Sequence, residues 1–227
     1  MAERRFSANI STIGKAGQLK LSRACIGVAG LGGVGGIAFE LLVRAGVGKI
    51  KIADSGFFEE SNANRQSLWT YGNDGMKKTE AATDFARQVN KACRVFPFGE
   101  ITAHGAAGFA SGCAAVIDAT DRKRSRIAVW RGCREMRVPY VFASALGQRG
   151  MLSVFWGRDF EKEFALSGKR GGEFLSCDHS LGPVANAVGC LSAQQALNIV
   201  LGKKAAQFPS LVSIDAFSSE QAATCSF

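Results

Sequence analysis

A run of closely spaced glycines stands where a short apolar segment gives way to a helical pattern. The apolar segment is Cys25–Ala29, and it is followed by Gly30, Gly32, Gly33 and Gly35. A glycine turn between a buried strand and a helix lets backbone N–H groups approach a phosphate at the positive end of that helix. The spacing therefore predicts a phosphate-binding turn.

A carboxylate follows the next apolar segment. Asp54 ends the predicted strand Lys49–Ala53, and a carboxylate at that position can accept hydrogen bonds from ribose hydroxyls. Together, the glycine turn and Asp54 predict a site for a mononucleotide or a dinucleotide. These two features alone do not distinguish the two ligands.

A second set of polar residues separates the two possibilities. Arg65 and Lys78 follow Asp54 in the chain, and Asp121 follows a later apolar segment. An enzyme that cleaves ATP between the α- and β-phosphates needs cations on the triphosphate and a carboxylate for Mg²⁺. A hydride-transferring enzyme leaves the phosphates of its cofactor intact and has no use for this set. The combination favours ATP chemistry.

The elements that position these residues alternate between strands and helices. Apolar runs predict strands at 25–29, 49–53, 94–98, 114–117, 140–143, 151–156 and 211–214. Helical spacing predicts helices over 1–23, 37–43, 76–90, 122–137 and 184–201. This alternation is typical of one α/β domain over 1–227, with a doubly wound, Rossmann-like and mostly parallel sheet and additional C-terminal strands. Residues 157–183 are polar and glycine-rich, and they predict a crossing loop.

Composition excludes several classes of protein. The 227 residues are 47% hydrophobic and 21% charged, which rules out intrinsic disorder. The charge-free apolar stretch over 24–39 ends at Glu40, short of the roughly 20 residues that a membrane span needs. The first residues lack the apolar core of a signal peptide. We therefore expect a soluble, cytoplasmic protein without a membrane partner.

Cysteine spacing argues against a zinc site. The chain has seven cysteines, and no two of them stand at the C-x-x-C spacing of zinc ligands or of a redox pair. We interpret most of them as reduced thiols used as small apolar residues, and we expect no zinc.

Positive charge is concentrated in one predicted helix. The net charge is +9, and residues 122–137 hold seven basic residues against one acid, Glu135. Such a face can bind nucleic acid, nucleotide phosphates or an acidic protein. It can equally be a solvated helix face, an interpretation that Ile127, Trp130 and Met136 at helical spacing support.

The motifs in this order resemble the ThiF/MoeB/HesA family of ubiquitin-activating-enzyme-like adenylyltransferases. The resemblance rests on Gly30-x-Gly32-Gly33-x-Gly35, Ala45-Gly46-Val47-Gly48, Asp54, Ser61-Asn62-x-Asn64-Arg65-Gln66, Lys78 and Asp118-x-x-Asp121. It extends upstream to Ile13-Gly14 with Gly17-Gln18, and downstream from Gly182-Pro183 to Gln194-Gln195-Ala196-Leu197. It covers nearly the whole chain.

The resemblance implies a reaction. Family members bind ATP and Mg²⁺ together with the Gly-Gly tail of a small ubiquitin-like carrier protein, whose carboxylate attacks the α-phosphate to form an acyl-adenylate and pyrophosphate. It also implies a homodimer in which one subunit's N-terminal segment completes its neighbour's site. The implied roles are nucleotide binding for Gly30, Gly32, Gly33, Gly35 and Gln66, ribose binding for Asp54, phosphate binding for Asn62, Arg65 and Lys78, and Mg²⁺ binding for Asp121.

Three departures from the family pattern bear on activity. The usual Asp-x-Asp after the second strand reads Asp54-Ser55-Gly56, and the usual N-terminal Arg-Tyr-x-Arg ends in Ala8. The paired C-x-x-C zinc motif of many members is missing, so the chain resembles the shorter, zinc-free members. Cys177 lies in the crossing loop two residues before His179, where some members carry a nucleophilic cysteine; the alternative is a bystander thiol.

Three other functions are alternatives for the same sequence. A related adenylating enzyme that acts on tRNA fits the same motifs, and the net charge of +9 suits RNA. A scaffold subunit with reduced catalysis fits the changes at Gly56 and Ala8. A dehydrogenase is a distant alternative, because no Tyr-x-x-x-Lys occurs and Arg65 and Lys78 would have no purpose in one.

Overall fold

The computed structural model describes residues 2–164, 179–218 and 222–226. One eight-stranded sheet with the order β3-β2-β1-β4-β5-β6-β7-β8 runs through them. The strands are β1 Cys25–Ala29, β2 Lys49–Ala53, β3 Arg94–Phe98, β4 Ala115–Asp118, β5 Tyr140–Leu146, β6 Arg149–Phe155, β7 Ser210–Asp215 and β8 Ala222–Ser226. The helices are α1 Ala2–Arg5, α2 Ser7–Arg23, α3 Gly33–Ala45, α4 Lys78–Val89, α5 Ala106–Ala110, α6 Lys123–Glu135, α7 Phe160–Glu163 and α8 Gly182–Leu201.

The predicted fold class is confirmed. Strands β1 to β5 pair in parallel, whereas β6, β7 and β8 pair antiparallel and form the additional C-terminal strands. Helices α3, α4 and α8 pack in one cluster of core residues, and α5 and α6 pack in another. Strand β8 and the short helix α5 have no counterpart among the predicted elements, because neither carries a long enough apolar pattern.

The register brings the ends of three strands together. Ala29 at the end of β1 pairs with Ala53 of β2 on one side and with Asp118 of β4 on the other. The segments that follow these strands therefore leave the same edge of the sheet. This is the edge where open parallel sheets bind ligands, at the point where the strand order reverses.

The predicted crossing loop over 157–183 contains the short helix α7 near its start, and residues 165–178 of the loop lie outside the described residues. Phe160 of α7 is fully buried against the rings of Tyr140 and Phe155. Asp159 begins this helix by accepting hydrogen bonds from the N–H groups of Glu161 and Lys162. Aromatic burial holds this turn in place although its sequence has no helical period.

Helix α8 begins at Gly182, two residues earlier than predicted, and is long and apolar enough to cross a membrane by length and composition. In the described part of the chain it packs against α3 and against strands β4, β5 and β6. Val184, Val188 and Ala196 are buried there. This packing accounts for its composition as that of a core helix.

The arginines of the basic helix α6 lie in two different environments. Arg126 is fully buried and contacts Asp118, whereas Arg131 and Arg134 form exposed ion pairs with Glu161 and Asp159. Three of the seven basic residues over 122–137 therefore pair with acidic side chains of the same chain. Trp130 faces the core as the spacing predicts, but Met136 is 38% exposed.

Candidate nucleotide-binding site

A polar cavity of about 340 Å³ opens at the edge of the sheet where β1, β2 and β4 end. Nine of the predicted site residues line it: Gly30, Gly32, Gly33, Asp54, Asn62, Arg65, Gln66, Lys78 and Asp121. These residues come from five segments of the chain, and the fold alone brings them together.

The glycine turn is held by backbone contacts and by Asp54. Gly30 has φ +84°, and a Cβ there would lie 2.6 Å from the carbonyl oxygen of Ala119. Asp54 Oδ2 accepts a hydrogen bond from the Leu31 N–H at 2.7 Å, and its Oδ1 accepts one from the Gly56 N–H at 2.7 Å. A carboxylate has about four acceptor positions, so Asp54 retains capacity for a ribose hydroxyl.

Gly35 is the exception among the predicted glycines, because it does not line the cavity. It is buried in the first turn of α3, and an added Cβ would overlap the carbonyl oxygen of Gly30. In the structure Gly35 allows the close approach of α3 and the glycine turn.

Gly35→Ala is therefore expected to lower the free energy of unfolding by about 1–3 kcal/mol, because the backbone must move to remove the overlap. Gly36→Ala is the matched control, since a Cβ there would make contacts of 3.4 Å or longer in the same helix. Denaturant unfolding of both variants measures the difference. Equal stability of the two variants would contradict the packing role.

Two cations face the cavity from different elements. Arg65 Nη1 donates to the carbonyl oxygen of Ser61 at 3.0 Å and to Asn64 Oδ1 at 2.8 Å, which fixes its orientation without neutralising it. Lys78 begins α4, and its N–H donates to the Gly56 carbonyl at 3.0 Å. Within the described ranges neither side chain has an ion pair, so both charges are available to an anionic ligand.

Two buried amides line the wall next to Arg65. Asn62 is 7% exposed, and its Oδ1 accepts from the Glu59 N–H at 3.3 Å, which closes a short 3₁₀ turn. Gln66 is 6% exposed, and its Oε1 has no hydrogen-bond partner among the described residues. A buried amide oxygen without a partner is costly. A donor on a bound ligand would satisfy it, and the cavity is therefore suited to a polar ligand.

Asp118, which ends β4, and Asp121, which follows it, differ in role. Asp118 is fully buried and accepts hydrogen bonds from Thr120 N–H at 2.9 Å and from the Tyr140 hydroxyl. Burial and the Asp118 carboxylate hold the pKa of Tyr140 well above its usual value. Asp121 is exposed at the cavity. The buried residue shapes the loop, and the exposed one is free to bind.

The exposed carboxylate of Asp121 is a suitable ligand for the predicted Mg²⁺. Mg²⁺ typically binds one or two carboxylates together with substrate phosphates, rather than an all-protein cage. Glu100 also lines the cavity and supplies a second carboxylate. Among residues 2–164, 179–218 and 222–226 no group of three or more His, Cys, Asp or Glu side chains could hold a metal ion by itself.

Several residues of the cavity lining were not predicted from sequence. Among those with a polar or charged side chain are Glu100, Arg122 and Ser180. Arg122 stands next to Asp121, so the motif itself pointed to it, but its charge was assigned to the helix face. Glu100 and Ser180 reach the cavity through tertiary packing, for which the sequence has no local signal. The predicted nucleophile Cys177 lies outside the described residues.

The fold and the cavity together define a doubly wound α/β domain of the nucleotide-binding class. The ThiF family matches residues 6–226 of the chain. The chain belongs to this family.

Named relatives agree with this assignment. The chain is 34% identical over 147 residues to the adenylyltransferase and sulfurtransferase MOCS3 of Drosophila willistoni, and the aligned region covers 64% of this chain and 32% of that protein. It is 29% identical over 188 residues to the molybdopterin-synthase adenylyltransferase of Salmonella typhimurium, and the aligned region covers 81% of this chain and 76% of that protein. The chain spans about a third to about a half of the length of the MOCS3 relatives.

A solved structure shares the fold over almost the whole chain. The crystal structure of E. coli MccB with ATP superposes with a TM-score of 0.79 at 18% identity, over 98% of this chain and 70% of that one. At this level of identity the likeness concerns the fold alone.

Proposed function

We propose that the chain is an ATP-dependent adenylyltransferase, which activates a carboxylate as an acyl-adenylate and releases pyrophosphate. The observation that carries the proposal is the convergence of Arg65, Lys78 and Asp121 on the cavity that the glycine turn closes. Relatives named adenylyltransferases support it. The charges match the reaction, because two anionic reactants must be held together before they react.

In the proposed reaction a carboxylate oxygen of the substrate forms a bond to the α-phosphorus of ATP. The bond between this phosphorus and the bridging oxygen breaks, and pyrophosphate leaves with the electron pair. Arg65 and Lys78 bind the triphosphate oxygens and stabilise the charge that develops on them. Asp121 would hold Mg²⁺, which would supply further positive charge to the bound triphosphate. The protein acts mainly by positioning and electrostatics.

The proposed substrate is the C-terminal Gly-Gly tail of a small ubiquitin-like carrier protein. The cavity lining includes the small residues Ala143, Ala145 and Ala185. A lining with small side chains suits a tail without side chains. Arg122 and Arg124 are exposed at the start of α6, next to the cavity, and suit an acidic carrier.

We also propose a homodimer. Arg5 Nη1 donates to Asn90 Oδ1 at 3.1 Å, at the end of α4 remote from Lys78. A helix of 12 residues spans about 18 Å, so Arg5 is far from its own chain's cavity. The N-terminal segment can therefore contribute to a nucleotide cavity only if that cavity belongs to a second subunit. Light scattering at micromolar concentration tests this, and a monomeric mass would overturn it.

Exchange of labelled pyrophosphate into ATP tests the proposed reaction. We expect exchange that requires both Mg²⁺ and a carrier with a free Gly-Gly terminus, and no exchange when that terminus is amidated. Exchange with tRNA in place of the carrier, weakening steeply with salt, would replace this substrate by the RNA alternative. Absence of exchange with either substrate, in a protein that binds ATP, would favour the scaffold alternative.

Arg122 supplies a further test of the cavity. We expect Arg122→Ala to weaken ATP or pyrophosphate binding by about tenfold, in line with loss of one charged hydrogen bond. Arg124→Ala is the matched control, since Arg124 is exposed two residues along the same segment and does not line this cavity. Equilibrium binding of both variants measures the effect. Equal affinities would exclude Arg122 from the ligand site.

A further inference from the structure

Two cysteines face each other at the amino-terminal edge of the sheet, away from the cavity. Cys25 begins β1, and Cys113 lies two residues before β4, its neighbour in the sheet. Their Sγ atoms are 3.9 Å apart, although 88 residues separate them in sequence. The Ala114 N–H donates to the Cys25 carbonyl at 2.7 Å, which fixes the two segments against each other. The thiols are therefore held in proximity by the sheet itself.

The two thiols are not equivalent. Cys25 is half-buried, whereas Cys113 is 8% exposed. The neighbouring Cys113 thiol lowers the pKa of Cys25, and Lys51 and Lys49 favour the thiolate further. The Lys51 ammonium is fixed nearby, since Nζ donates to the carbonyls of Gly108 and Ser111 at 2.9 and 2.7 Å. Cys25 is thus suited to attack first. The Cys25 side chain and burial raise the pKa of Cys113, so Cys113 can act only as the second thiol, through its proximity to Cys25.

The other described cysteines lack this environment. Burial raises the pKa of Cys93 to about 11, and burial raises the pKa of Cys133 as well. Cys190 is exposed on α8, but burial of its sulfur still raises its pKa. Reactivity of a thiol follows its thiolate fraction and its access. Among the described thiols the chemistry therefore points to Cys25.

We propose that Cys25 and Cys113 form a reversible thiol–disulfide exchange site for a low-molecular-weight disulfide such as oxidised glutathione. The Cys25 thiolate attacks one sulfur of the glutathione disulfide, whose S–S bond breaks and releases one glutathione thiolate. Cys113 then loses its proton to water and attacks Cys25 Sγ. The mixed disulfide breaks, the second glutathione leaves, and a Cys25–Cys113 bond remains. Two protein thiols are oxidised while one glutathione disulfide is reduced to two thiols.

Incubation of the native protein with oxidised glutathione, followed by acid trapping and peptide mapping by mass spectrometry, tests the proposal. We expect the wild-type protein to lose two hydrogen atoms and to yield a linked pair of peptides containing Cys25 and Cys113. Cys113→Ser should instead accumulate a stable glutathione adduct on Cys25. Cys25→Ser should leave Cys113 unmodified, and Cys190→Ser should react at residues 25 and 113 as the wild-type protein does.

Two results would overturn the proposal. One is modification of the buried Cys93 and Cys133 at rates similar to that of Cys25, which would indicate reaction through the unfolded chain. The other is a wild-type protein that stops at the glutathione adduct, because Cys113 would then not act as the second thiol. The wild-type mapping alone decides between these outcomes, so the test stands even where a serine variant fails to fold.

Discussion

Asp121→Ala is expected to reduce pyrophosphate release by at least about 10²-fold while the protein stays folded. Loss of one preorganised charge-stabilising group typically costs 10²–10³ in turnover. Asp121 lies on the cavity and is exposed, so its removal takes away a proposed Mg²⁺ ligand without breaking a buried contact. Steady-state measurement of pyrophosphate release, with circular dichroism as the check on folding, tests this expectation.

A second readout separates metal binding from a general loss of function. The Mg²⁺ concentration that supports half-maximal ATP binding should rise in Asp121→Ala. Glu135→Ala is the matched control, because it removes an exposed acid at the far end of α6. Unchanged turnover in Asp121→Ala, or an equal effect in Glu135→Ala, would remove Asp121 from the mechanism.

Arg126→Met is expected to cost about 3–5 kcal/mol in the free energy of unfolding. Arg126 is fully buried, its Nη1 lies 3.6 Å from Asp118 Oδ2, and the same atom donates to the Ala143 carbonyl at 3.0 Å. Its guanidinium carbon also lies 4.9 Å from the centre of the Phe142 ring. Removal of one partner of a buried pair leaves the other charge uncompensated, which is the source of the large cost.

Denaturant unfolding measures this cost against a variant on the same helix. Arg124→Met changes an exposed arginine two residues away and should stay within about 0.5 kcal/mol of the wild-type protein. The double variant Asp118→Asn, Arg126→Met should recover part of the loss, because it no longer leaves a charge unpaired. An Arg126→Met variant that unfolds like Arg124→Met would show that the buried pair does not stabilise the fold.

The parts of the fold that sequence predicted are those with a strong local pattern. Strands β1 and β2 lie at the predicted bounds, because apolar runs between glycine and polar residues mark buried parallel strands. Helix α7 was missed, since Phe160 is held by aromatic neighbours that come from distant strands. Tertiary burial of this kind has no local signature.

The candidate site shows the same contrast between residues with a local sequence pattern and residues placed by tertiary packing. Arg65, Lys78 and Asp121 were predictable because each stands in a motif, and the cavity contains all three. Gly35 has the type and spacing of a ligand-binding glycine but does not line the cavity, and its close approach to the Gly30 carbonyl is a packing contact that sequence does not reveal. The charge of Arg126 was likewise counted as surface charge, since sequence does not reveal that Asp118 is buried beside it.

Calorimetric titration with ATP in the presence of Mg²⁺ tests the central claim most directly. The proposed site predicts micromolar ATP binding by the wild-type protein, loss of that binding in Arg65→Ala, and no comparable binding of NAD in a parallel titration. Arg124→Ala, which leaves the cavity intact, should bind ATP like the wild-type protein. Absence of ATP binding, or ATP binding that Arg65→Ala leaves unchanged, would contradict the assignment of this cavity as a triphosphate site.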